Sequence, residues 1–168
     1  MPMKQPKPLQ ENLIVPELQL SVQYATPVPE LSRQQVRAWV VRALNSAYAQ
    51  DEHEFESAEL NLRFVDSDEA LALNRSYRDK DYAPNVLSFE YGVDPLGTLR
   101  GDIVICWPIL QAEAKEQGKS AKDHAAHLVV HGTLHTLGYD HLDDEQAEHM
   151  EALEIAILQQ MKIANPYI

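Results

Sequence analysis

The run His131-Gly132-Thr133-Leu134-His135-Thr136-Leu137-Gly138-Tyr139-Asp140-His141 restricts this chain more than any other stretch. Residues four apart on an α-helix share a face, with Cβ atoms roughly 5–6 Å apart, so His131 and His135 can aim both imidazoles at one ion. Gly138 then supplies a residue that takes the left-handed, helix-ending conformation at little cost. The chain can double back there and present His141 as a third ligand. Structural zinc sites usually fill all four positions with protein ligands, whereas catalytic sites keep one for water or substrate. Three histidines therefore predict a hydrolytic metal centre at the end of a helix.

At about 100° per residue, His124 and His127 fall on the same stripe. A stripe three turns long exceeds the reach of one ion, so these two are read as packing residues or as hydrogen-bonding support for the ligands. The spacing His-x-x-x-His-x-x-Gly-x-x-His is also that of metzincin proteases, in which a glutamate after the first histidine acts as base. Here that position is Gly132. Without the carboxylate, peptide hydrolysis loses a contribution of roughly 10²–10⁴-fold. Phosphodiester hydrolysis fits better, because the metal polarises a phosphoryl oxygen or supplies hydroxide while an arginine stabilises the added charge.

A chain of 168 residues, 45% hydrophobic and 24% charged, has the length for one domain, 1–168, with a sizeable core. Residues 1–12, rich in proline and without periodicity, read as a loose leader rather than an apolar signal core. The single cysteine, Cys106, gives no sign of an oxidising compartment, and no uncharged stretch has the length to span a bilayer. A cytoplasmic location is expected. Lys plus Arg is 14 and Asp plus Glu is 26, so the net charge is 14 − 26 = −12, which argues against indiscriminate nucleic-acid binding. Between two acidic clusters, at 51–59 and 140–154, lie Arg63, Arg75, Arg78, Lys80 and Arg100, which leaves room for a locally positive surface.

Alternation of Leu18, Leu20, Val22 and Tyr24 predicts a first strand. Ser32 with Gln35 caps a helix from Arg33 to about Gln50, with Val36, Trp39, Val40, Ala43, Leu44 and Ala47 on its buried face. Asp51 to Glu56 reads as a solvated connection, with His53 at the surface. Leu60, Leu62 and Phe64 form the core side of a second strand. Arg63 then points the other way, either to solvent or into a cleft as an anion clamp. Asp66 with Glu69 starts a helix to about Tyr77, Val86 to Tyr91 is a third strand, and Gly92 to Leu99 is a loop. Asp102 to Trp107 is a buried fourth strand, and a helix follows from Pro108 to before Gly118. Ser120 with Asp123 caps the histidine helix, and Asp143 with Gln146 caps a last helix whose exposed face is acidic. The expected fold is α+β: a mixed four-stranded sheet packed with about five helices, the metal site at the end of a central one.

The histidine run resembles the signature of the YbeY family of bacterial rRNA maturation endoribonucleases. Leu62-Arg63-Phe64-Val65-Asp66, Leu73-Asn74-Arg75-Ser76-Tyr77-Arg78-Asp79-Lys80-Asp81, Asn85-Val86-Leu87-Ser88-Phe89 and Gly101-Asp102-Ile103-Val104-Ile105 are similar to that family's other segments, in the same order. The resemblance departs at Ala83-Pro84, where the family usually has proline and then threonine. It implies a single-strand-specific, metal-dependent endoribonuclease in 16S rRNA 3′-end maturation and ribosome quality control, in which water on one zinc ion hydrolyses an RNA phosphodiester. By position, His131, His135 and His141 take the ligand roles, and Arg63 matches the family's functional arginine, which favours the cleft. Arg78, Lys80, Asn85 and Ser88 are expected substrate contacts because they bracket a loop that should open near the metal helix. The implied partners are rRNA and the small ribosomal subunit or its proteins, with no DNA and no membrane. Two other readings are a zinc protease and an assembly factor with a mainly structural metal.

Overall fold

The computed structural model of the protein describes residues 15–168, so the expected leader, 1–12, lies outside the described residues. Its strands are β1 (Glu17–Tyr24), β2 (Ser57–Val65), β3 (Val86–Val93) and β4 (Thr98–Cys106). Its helices are α1 (Arg33–Gln50), α2 (Ser67–Arg78), α3 (Trp107–Gln117), α4 (Ala121–Thr136) and α5 (Asp144–Gln160). Ser32, Asp66, Ser120 and Asp143 each accept from the backbone N–H three residues on, at Gln35, Glu69, Asp123 and Gln146. Each cap satisfies an N–H that has no partner inside the helix. Helix α3 has no such cap and instead carries Pro108 in its first turn, where a missing N–H costs nothing.

The sheet order is β1-β2-β4-β3, with β1 parallel to β2, β2 parallel to β4, and β3 antiparallel to β4. This is the expected α+β class with a mixed four-stranded sheet. Two boundaries differ. The expected loop over Gly92–Leu99 shrinks to a tight turn at 94–97, because the Asp94 carboxylate accepts from the N–H groups of Leu96 and Thr98 and Gly97 takes φ +86°. Strand β4 therefore begins at Thr98, and it ends at Cys106 with Trp107 already in α3.

Period-two alternation divides the side chains between two faces. Leu60, Leu62 and Phe64 of β2 join Ile103 and Ile105 of β4 in the main core, with Trp39, Val40 and Leu44 of α1 and Ile157 and Leu158 of α5. On the other face, Val65, Leu87, Val104 and Cys106 meet Ala70 and Leu73 of α2 and Ile109 of α3 in a smaller cluster. Helix α4 lies at the centre, against β3 and β4 on one side and α1, α3 and α5 on others. Its approach to the sheet is close. A Cβ on Gly132 would fall 2.7 Å from Ile103 Cγ2, and one on Gly101 of β4 would fall 2.7 Å from Thr136 Cβ. Two glycines, one from each element, thus set the distance between the histidine helix and the sheet. No described helix is long and apolar enough to cross a membrane.

Candidate metal centre

The three histidines converge at the C-terminal end of α4. Helix α4 ends at Thr136, and Gly138 takes φ +103°, a conformation that favours glycine. Tyr139 N–H then donates to Leu134 O at 3.1 Å, turning the chain back over the helix end. The returning loop is held by His141 N–H on Asp140 Oδ1 at 2.7 Å, and by Leu142 N–H on Gln146 Oε1 at 3.3 Å. Tyr139 O–H donates to Asp51, which also accepts from His149 at 3.0 Å. The loop is therefore tied to both α1 and α5.

Ring centres lie 4.6 Å apart for His131 and His135, 5.3 Å for His135 and His141, and 6.2 Å for His131 and His141. A tetrahedral zinc with bonds of about 2.0–2.1 Å places imidazole centres about 5 Å apart, within the observed spread. Two donor sets, each with ligand atoms within 4.8 Å of one another, share this region: His135, Asp140 and His141, and His127, His131 and Glu154. In the second set both carboxylate oxygens already accept hydrogen bonds. His131 Nδ1 lies 3.0 Å from Glu154 Oε2, and His127 Nε2 lies 2.9 Å from Oε1. An ionised carboxylate only accepts, so His131 carries its proton on Nδ1 and leaves Nε2 as the lone pair for a metal.

The electrostatics fit that use. Burial first and the neighbouring His131 second lower His135 to about 4, against the pull of Asp140. A ring that stays neutral at physiological pH is the form that binds a metal. Glu154 is fully buried. Burial pushes its carboxyl up, but hydrogen bonds from His127, His131 and Tyr167 outweigh this and hold it down at about 2. The donor chemistry therefore fits a divalent metal that prefers nitrogen ligands, held by His131, His135 and His141.

Glu154 belongs to the acidic 140–154 cluster of the sequence but is not on the exposed face of α5. It sits on the buried stripe of α5 with Met150, Leu153, Ile157 and Leu158. A carboxylate at an apolar-stripe position was the signal available in the sequence. His53, expected at the surface, is half-buried: its Nε2 lies 3.1 Å from Ala47 O, and its ring packs among Tyr48, Phe55 and Tyr139. His124 is buried with Nε2 2.8 Å from Glu113 Oε1, and burial lowers its pKa.

The remaining expected site residues are dispersed. Alternation carries Arg63 away from Leu62 and Phe64, as expected, and so to the sheet face opposite α4. There its Nε and Nη2 donate to Glu69 at 2.7 and 3.2 Å, and its Nη1 donates to Gln23 at 3.0 Å. The structure does not bring it to the histidines. Arg78 lies at the rim of β3: its Nη2 donates to Ser88 O at 2.6 Å, and its guanidinium stands 5.0 Å from the Phe89 ring centre. Ser88 Oγ meets Gly132 O of α4 at 3.5 Å, and Asn85 donates to Glu113 at 3.0 Å. Lys80 is exposed. The expected positive surface is largely neutralised, since Arg63, Arg75 and Arg100 pair with Glu69, Asp81 and Glu59.

The protein is of the α+β class, and its central helix and return loop bring three histidine imidazoles together. The chain belongs to the endoribonuclease YbeY family, whose model matches residues 21–162. It is similar to endoribonuclease YbeY of Bordetella avium (strain 197N), 56% identical over 153 residues, which are 91% of this chain and 95% of the relative. The relative from Bordetella petrii is 59% identical over 152 residues, 90% of this chain and 98% of that one. That from Thiobacillus denitrificans is 52% identical over 155 residues, 92% and 99%. A solution structure of a Thermotoga maritima protein shares the fold at a TM-score of 0.54 and 20% identity, covering 86% of this chain and 92% of that one.

Proposed function

We propose that the protein is a zinc-dependent endoribonuclease that cuts single-stranded RNA in 16S rRNA 3′-end maturation and ribosome quality control in the cytoplasm. The observation that carries the metal part is the convergence of His131, His135 and His141, with His131 fixed by the buried Glu154. The RNA part is supported by membership of the endoribonuclease family. Zinc bound by the three imidazoles supplies a lowered pKa for water and a Lewis acid for a phosphoryl oxygen.

The chain's own groups divide the rest of the work. His131 is oriented through its Nδ1–H, leaving Nε2 for the ion. Gly132 stands where related-looking proteases have a base, and a side chain at that position would start toward Ile103 of the sheet. The peptidase arrangement is therefore absent at that position. Arg78 at the β3 rim is the cation placed to steer an RNA phosphate past the metal loop. Around that rim, Glu90 feels both Arg78 and Asp140, and its carboxyl is raised by burial first and by Asp140 second. Arg63 serves the RNA from the far face of the sheet. Its Glu69 partner fixes the guanidinium plane through Nε and Nη2 and leaves the second N–H groups of Nη1 and Nη2 for substrate. Lys80, Asn85 and Ser88 complete the proposed substrate contacts, and the partners are rRNA and the small ribosomal subunit or its proteins.

Arg63→Glu tests the RNA reading. It sets a second carboxylate against Glu69, and cleavage of a single-stranded rRNA precursor is expected to fall at least tenfold with metal content and fold unchanged. Elemental analysis, circular dichroism and a gel-based cleavage assay on the same preparation check this. Cleavage at the wild-type rate would remove Arg63 from the mechanism.

A further inference from the structure

The histidines occupy one face of the sheet, and the other face holds a cavity of about 410 Å³ that no ligand set explains. Helix α2 and strands β1, β2, β4 and β3 line it, and six of its lining residues set its chemistry: Arg63, Glu69, Tyr77, Phe89, Tyr91 and Asp102. Tyr77 is 66% exposed and Tyr91 62% exposed, although both stand beside an apolar floor. Tyr77 and Phe89 meet edge to face at 5.5 Å and 73°, and Tyr91 O–H donates to Asp102 Oδ2 at 2.8 Å. Two exposed aromatic rings over a cavity are not what packing alone requires. They are what a planar, apolar-faced ligand requires.

Charge decides which part of such a ligand enters. Among the described residues Arg63 is the only cation of the lining; it is balanced by Glu69, and Asp102 adds a further negative charge. A phosphate is disfavoured there. A nucleobase is favoured: it carries no charge, stacks on aromatic rings, and offers N–H donors to carboxylate oxygens at its edge. The volume accommodates one base, not a helix of stacked pairs.

The cavity is also connected to the metal centre. Strand β3 is the sheet edge, with Ser88 touching α4 on one face and Phe89 lining the cavity on the other. Arg78 bridges them at the rim, bonded to Ser88 O and lying over the Phe89 ring. A strand passing round this edge would meet the histidines, then Arg78 at a phosphate, then the cavity.

We infer that the cavity beneath Tyr77 and Tyr91 is a binding subsite for one unpaired nucleobase of the RNA, several residues of path away from the metal centre and on the opposite face of the sheet. It rests on RNA as the substrate. The site acts as a selector for single strands, because a base held in a helix cannot leave its partner to enter without paying the cost of unpairing.

The test uses the full-length holoprotein and short single-stranded RNAs carrying 2-aminopurine at successive positions. Binding to the wild type quenches emission at one position, and an abasic residue at that position weakens binding about tenfold. Tyr77→Ala loses the quench and weakens binding by a similar factor, while Tyr77→Phe keeps both and metal content is the same in all three. Tyr91→Ala is the second probe should Tyr77→Ala fail to fold. Wild-type affinity and quench in both alanine variants would overturn the subsite. So would variants that keep RNA affinity but lose retention of a small-subunit protein, since the cavity would then be a protein-docking site. RNA that is bound and quenched at one position yet never cut supports the subsite while counting against the nuclease reading.

Discussion

Glu154→Gln is expected to weaken zinc binding by 10–100-fold, the range over which hydrogen-bond partners of ligand histidines act. The buried carboxylate accepts from three donors, His131 Nδ1 at 3.0 Å, His127 Nε2 at 2.9 Å and Tyr167 O–H at 2.7 Å. An amide of the same shape offers one acceptor oxygen and turns an N–H₂ toward the remaining donors. Either His131 or His127 must lose its bond. If His131 loses it, its ring is free to rotate and to carry its proton on Nε2, the atom the metal needs. Competition against a fluorescent zinc chelator measures the affinity. Glu154→Ala goes further: it leaves the donors unpaired in a buried space and costs about 3 kcal/mol of stability as well. Equal zinc affinity in wild type and Glu154→Gln would show that the carboxylate only packs the helices together.

Gly132→Ala is expected to lower stability by about 2 kcal/mol, or about 5 °C in Tm for a chain of this size. In a free helix the same change would help by up to about 1 kcal/mol. Here the new methyl would lie 2.7 Å from Ile103 Cγ2, on a fully buried side chain of β4. A glutamate at the same position, which would recreate the protease motif in sequence, is expected to lose more stability and gain no peptidase activity, since the side chain starts toward the sheet core. Thermal melts of the two variants and a casein digest of any folded Gly132→Glu protein check both statements. A stabilised alanine variant would mean that helix and sheet are farther apart than described.

Much of the fold was legible because local rules and global packing agree. Four helix starts followed from Ser or Asp with a partner three residues on, and the alternation of Leu60, Leu62 and Phe64 gave both the strand and its core face. The convergence of His131, His135 and His141 is legible for the same reason: a spacing of four and a glycine stop are local geometry. What lay beyond local geometry was missed. Arg63 was assigned the correct side of its strand, but a strand pattern does not say which helix covers that side. The order β1-β2-β4-β3 puts α2 there and α4 on the other. Glu154 was hidden by its neighbours, because Asp144, Glu145, Glu148 and Glu151 make the helix read as a solvated acidic face. Only its place one residue after Leu153 and four before Leu158 marks it as buried. The acidic residues around His53 make it read as a surface group, whereas its burial comes from Tyr48, Phe55 and Tyr139.

A zinc ion on His131, His135 and His141 is proposed to make this fold a nuclease. The most direct measurement is elemental analysis of the purified protein paired with cleavage of a 16S rRNA precursor before and after chelation, followed by zinc replacement. One zinc per chain is expected, with loss of cleavage on chelation and recovery when zinc is restored. Cleavage that continues undiminished in the metal-free protein would contradict it.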